Sequence, residues 1–88
     1  MDIKIIEMKG FWKNFIGLMG KKNINYGIKL RCNGIHTFFM KIPIDVVLTD
    51  KDNNVIKVYY NVVPNRIILP KKGVYYTYEL PVGYIKRA

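Results

Sequence analysis

Along the chain, apolar residues come in short runs that alternate with polar ones and are cut at intervals by Gly, Pro and Asn, as expected of β-strands joined by turns. Residues 3–8 alternate and precede Gly10, which predicts a first strand. The period then changes. Trp12, Phe15, Ile16 and Met19 fall at i, i+3, i+4 and i+7 while Lys13 and Asn14 point away, so one short helix is expected near residues 11–19, ended by Gly20 and packing its apolar stripe on the sheet. Residues 26–31 read as a strand, Asn33-Gly34 as a tight hairpin turn, and residues 36–40 as the returning strand. Pro43 has no N–H to give to a ladder, so it splits the apolar run and opens a separate strand over residues 44–49. A polar turn at residues 50–54 leads to the longest strand, residues 55–63, rich in β-branched and aromatic side chains. A short apolar piece at 66–69 and a turn at 70–73 precede the last strand, residues 75–80, with Tyr76, Tyr78 and Leu80 on one face and Pro81 and Gly83 closing it.

Short strands at turn-punctuated intervals with a single helix predict a mainly β fold, a small antiparallel β-sandwich or partly open barrel. The 88 residues form one domain, 1–88, with no repeat or linker. A domain of this size buries only roughly 60–65% of the surface its unfolded chain exposes. A hydrophobic content of 50% still argues for a packed core over disorder.

Charge suggests a class of partner. The net charge of +9 invites anionic surfaces, and Lys13, Lys21, Lys22, Lys29, Arg31, Lys71 and Lys72 are interleaved with Tyr26, Tyr59, Tyr60, Tyr75 and Tyr76, which could stack on bases. The competing reading is a diffuse, solvated Lys surface, and nucleic acid is the less favoured partner on sequence alone. Cys32 is the only cysteine, so an intramolecular disulfide and a Cys-rich zinc site are excluded. Asp2, Lys4, Glu7 and Lys9 interrupt any signal-like apolar run at the start, and no stretch is long enough to span a bilayer as a helix, so a cytoplasmic protein is expected.

Several chemistries lack their residues. Asp50, Asp52 and Asn54 have the opening spacing of a calcium loop, but Val55 replaces its Gly and Asn61 stands where the bidentate Glu belongs. No phosphate-binding Gly loop is present, and a chain without serine has no serine nucleophile. His36 is the single histidine, so a multi-His metal site is impossible. No cofactor or metal is implied. What remains is a candidate polar pocket of His36, Thr37, Asp45, Arg66 and Glu79, polar groups set among large apolar residues where they need partners. The bland alternatives are an imidazole bonded to backbone, an Asp45 that caps the bend at Pro43, and a Glu79 paired with a lysine.

The residues so assembled resemble a family of uncharacterised proteins, domain of unknown function 192. The matching pieces are Gly17-Leu18-Met19, the block from His36 to Asp45 with Asp50 and Val55 downstream, Asn61 with Pro64, and Glu79-Leu80-Pro81 with Gly83. The resemblance implies a compact, jelly-roll-like β fold, marks both Asp45 and Glu79, and supplies no reaction. Relatives usually continue into a further strand where this chain reaches Ala88, which implies an exposed edge or frayed tail from about residue 84, charged by Lys86 and Arg87. Net charge far from zero opposes self-association, so a monomer is expected. The functional expectation is a binding or accessory module for a small-molecule or protein ligand, the alternatives being a small enzyme or pocket built on the His/Asp/Glu cluster and a weak nucleic-acid binder.

Overall fold

The computed structural model describes residues 4–8, 26–37 and 41–85. Among these residues, seven strands build two sheets: β1 (Lys4–Met8), β2 (Tyr26–Leu30), β3 (Ile35–His36), β4 (Ile44–Thr49), β5 (Val55–Val62), β6 (Ile67–Ile68) and β7 (Tyr76–Pro81). The large sheet runs β1-β2-β7-β4-β5 and the small one pairs β3 with β6. All ladders are antiparallel except β1–β2. Of the two forms expected, the observed one is a pair of sheets in which the large sheet stays open and does not close into a barrel. There is no helix among the described residues. The helix expected near residues 11–19, with Trp12, Phe15, Ile16 and Met19, lies outside them, and no described helix is long and apolar enough to cross a membrane.

The core forms where the apolar alternation of the central strands meets the small sheet. Ile28 and Leu30 of β2 and Ile44, Val46 and Leu48 of β4 pack with Ile68 of β6, and Ile35, the register partner of Ile68, closes against them. Strand β4 is buried at every position because it is interior to the sheet and covered on both faces. The glycine inside β2 is needed for close packing, since a Cβ at Gly27 would meet Leu80 Cδ2 at 2.5 Å and Ile5 Cδ1 at 2.6 Å.

The hairpin expected at Asn33-Gly34 is not formed. Strand β2 pairs with β1 and β7, and β3 leaves for the other sheet to pair with β6. The dipeptide serves a crossing between layers. The Asn33 side chain donates to the Lys71 carbonyl at 2.7 Å and accepts the Lys71 N–H at 2.9 Å. Gly34 has φ 92°, and a Cβ there would lie 2.7 Å from the Ile68 carbonyl oxygen. The last strand, β7, is interior, so among the described residues the edges of the large sheet are β1 and β5; residues 86–88, most of the tail expected to be exposed or frayed, lie outside them.

Candidate functional site

Two of the five polar candidates, Thr37 and Asp45, hold backbone with their side chains. Thr37, 1% exposed, donates its hydroxyl to the Val63 carbonyl at 2.9 Å and accepts the Arg66 N–H at 2.8 Å. The Thr37 N–H reaches the Arg66 carbonyl at 2.8 Å, and the Asn65 N–H reaches the Thr37 carbonyl at 3.1 Å. The turn after β5 is therefore fastened to the end of β3, and Arg66 joins Thr37 through its main chain. His36 is half-buried on β3 opposite Ile67.

Asp45 sits opposite an irregularity in β5. Between the pairs Ile44↔Val62 and Val46↔Tyr59 the β5 strand carries one extra residue, and Asn61 takes φ 54° there. That bulge turns the Asn61 N–H towards the Asp45 side chain, which accepts it on Oδ1 at 2.8 Å and accepts the Gly83 N–H on Oδ2 at 3.2 Å. At 1% exposure, Asp45 thus ties the β5 bulge and the turn past the end of β7 to β4.

Glu79 has a different environment. It pairs with Val46 in register while Asp45 pairs with Leu80, so the two carboxylates lie on opposite faces of the sheet, Glu79 on the core side with Ile28 and Val46. It is 7% exposed, and burial alone pushes its carboxyl from 4.5 up to about 7. Two residues along β7, Thr77 donates its hydroxyl to the Cys32 carbonyl at 3.0 Å. Burial raises the pKa of the Cys32 thiol, the Thr77 side chain opposes that rise, and the Glu79 charge adds to it. The structure therefore brings together Glu79, Thr77 and Cys32, a grouping that strand alternation alone does not disclose. No group of three or more His, Cys, Asp or Glu among the described residues is placed to hold a metal ion.

The opposite face of β2 and β7 gathers cations and rings. Lys29 is the register partner of Tyr78, and its ammonium lies 4.0 Å from the Tyr76 ring centre and 5.6 Å from that of Tyr78. The Arg31 guanidinium stands 5.0 Å over Tyr75 and donates to the Tyr75 hydroxyl. Tyr75 and Tyr76 meet edge to face at 4.8 Å, and the Tyr78 hydroxyl donates to Asn53 Oδ1 at 2.5 Å. The Asn33 clip ties the exposed Lys71-Lys72 turn to the segment that follows Arg31. Glu7, beside Lys29 in register on β1, is an acidic neighbour of this face. Lys13, Lys21 and Lys22 lie outside the described residues. Tyr78 is not among the stacking tyrosines that the sequence suggests. Its i, i+2 spacing from Tyr76 is visible there, but the register that sets both rings against Lys29 is not.

A profile of the DUF192 family, described as Uncharacterized ACR, matches residues 2–88. A UPF0127 protein of Thermococcus sibiricus is 39% identical over 82 residues, covering 85% of this chain and 53% of the relative. A UPF0127 protein of Thermococcus kodakarensis is 37% identical over 83 residues, covering 86% and 52%. The chain thus spans about half the length of these curated relatives. Among solved structures, a protein of unknown function from Novosphingobium aromaticivorans superposes with a TM-score of 0.73 at 16% identity, over 90% of this chain and 61% of that one, which supports the fold alone.

Proposed function

The chain belongs to the DUF192 family, and from that premise we propose that it is a binding module, not a catalyst, and that it holds an anionic ligand against the β2–β7 face. The observation that carries this reading is the placement of Lys29 over Tyr76 and Tyr78 on one face of β2 and β7, with Arg31 over Tyr75 just beyond the ends of the same two strands. Each such cation–ring contact contributes about 0.5–1 kcal/mol at an exposed site, little enough for an incoming anion to recruit the cation. The Asn33 clip also ties the exposed Lys71-Lys72 turn to the segment that follows Arg31, which adds two basic residues to that end of the face.

The catalytic alternative has less to build on. A general acid–base pair needs groups within reach of one substrate atom. Asp45 and Glu79 face opposite sides of the sheet, both Asp45 oxygens accept backbone N–H groups, and the Thr37 hydroxyl is engaged by Val63 and Arg66. The test is calorimetric titration with inorganic polyphosphate at low salt, comparing the wild-type chain with Lys29→Glu/Arg31→Glu. Binding that falls steeply with salt and is abolished by the charge reversal is the expected result. Absence of binding, or binding unchanged in the variant, refutes the proposal.

A further inference from the structure

We propose that the anionic ligand of the β2–β7 face is a single-stranded nucleic acid, with Tyr76 and Tyr78 as its stacking platform; the inference rests on the binding reading above and names the ligand class of that same site. Phosphate attraction alone would be met by cations in any arrangement. Here the Lys29 ammonium lies over two rings that alternate along one strand, Tyr76 and Tyr78 on β7, while Tyr75, set edge-on to the first of them, carries the Arg31 guanidinium. Alternation along a strand spaces two such rings by about 6.6–6.8 Å, and both project from the same face. An array of rings bordered by basic side chains is the arrangement that binds unpaired bases, because every base offers a π-face and every nucleotide a phosphate.

The occupied state of the rings is compatible with this. Lys29 is a flexible side chain whose contact with a partly exposed ring is weaker than a stacked base, so it can swing to a phosphate and leave the Tyr76 face to the base. Tyr78 is held in place while this happens by its hydroxyl bond to Asn53. Arg31, held near the Tyr75 ring and bonded to its hydroxyl through one nitrogen, keeps further N–H groups for a phosphate, which a guanidinium binds in two-point fashion. A duplex keeps its bases paired and stacked and offers none of their faces, which makes it the poorer ligand.

The experiment compares four ligands on the wild-type chain at low salt: a homothymidine strand of about twelve nucleotides, the same strand with abasic sites throughout, a duplex of that length, and polyphosphate. We expect the single strand to bind at least about fivefold more tightly than its abasic counterpart, the duplex and polyphosphate to behave like the abasic strand, and the salt dependence of the single strand to have a log–log slope of about −3 for four phosphate contacts. In Tyr76→Leu the advantage of bases over abasic sites disappears while polyphosphate affinity is retained. Polyphosphate binding with equal affinity for the normal and abasic strands overturns this inference and leaves the binding reading standing. No binding of any polyanion overturns both. The abasic comparison needs no substitution, so a variant that fails to fold does not remove the test.

Discussion

Replacing Glu79 with glutamine is expected to stabilise the protein at pH 8 and to remove a distinct slope from its pH–stability curve. A buried carboxyl that no opposite charge compensates resists ionisation, and here burial alone lifts its pKa from 4.5 to about 7. Well below pH 4.5 the group is neutral in both the folded and unfolded chain and carries no penalty. As the pH rises from 4.5 to about 7, the unfolded chain ionises first, so it releases its proton while the folded chain keeps it, and stability falls. Above about 7 the folded chain carries a buried carboxylate and the loss is complete. Each tenfold change in proton affinity corresponds to about 1.4 kcal/mol, so the full effect is about 3 kcal/mol. That is a large part of the roughly 4–13 kcal/mol expected for a chain of this size.

The assay is urea unfolding of the wild-type chain and of Glu79→Gln at half-unit intervals from pH 5 to pH 8. The difference between the two curves isolates this carboxyl from the rest of the chain. It should grow in favour of Glu79→Gln by about 1.4 kcal/mol per pH unit between pH 5 and 6.5 and level off near pH 8. A difference that stays flat across the window means that the carboxyl is solvated or paired, and the placement of Glu79 on the core side would then be wrong.

Other consequences follow from the same geometry. Asp45→Ala should destabilise the fold by about 2–4 kcal/mol by leaving the Asn61 and Gly83 N–H groups without their carboxylate, and amide exchange at those two positions should accelerate more than elsewhere. Thr37→Val, which removes the bonds to Val63 and Arg66 at nearly constant volume, should lower the unfolding free energy by about 1–3 kcal/mol in the same urea assay. Gly34→Ala meets both a positive φ and the Ile68 carbonyl and should lose at least about 1–3 kcal/mol, whereas Gly83→Ala has open space around its Cβ and bears only the backbone term. Cys32 should react slowly with a disulfide reagent at pH 7.5, and faster in Glu79→Gln, because removing the nearby negative charge lowers the thiol pKa.

Strand positions were legible where local chemistry and tertiary environment agree. The run at 44–49 became β4 unchanged, and the runs at 55–63 and 75–80 differ from β5 and β7 by a single residue at their ends, because β-branched and aromatic content with Pro, Gly and Asn boundaries specifies an extended segment whatever it packs against. Pairing was less legible. Asn33-Gly34 has the residues of a two-residue hairpin, yet the same residues suit a crossing between sheets once the Asn33 amide finds Lys71 and Gly34 fits against Ile68. A dipeptide fixes the backbone angles of a turn and leaves open which strand follows it. The same limit applies to the polar candidates. Asp45 and Glu79 were identified as residues in need of partners, but which face each occupies depends on the β4–β7 register, and that is set by the whole sheet.

The polar residues that carry the family resemblance are best understood through how little regular pairing the small layer contains. Among the described residues, strands β3 and β6 share two residue pairs, too few ladder bonds to hold them against the core by themselves. Around that short ladder, side chains take over the work of backbone partners: Thr37 fastens the turn after β5, Asn33 fastens the start of the Lys71 turn, and Asp45 gathers the β5 bulge and the segment beyond β7. A buried Thr or Asp in such a position serves the fold regardless of any chemistry, so membership of the motif does not by itself mark a site. Function is then to be sought among residues that the fold does not need in this way. On the core side that leaves Glu79, whose burial destabilises the protein at neutral pH, and on the outer side the Lys29, Arg31 and tyrosine array, whose partly exposed cations and rings contribute little to folding. Of these, the outer array is the one whose cations and rings are partly exposed, and it is the one that binding experiments can reach first.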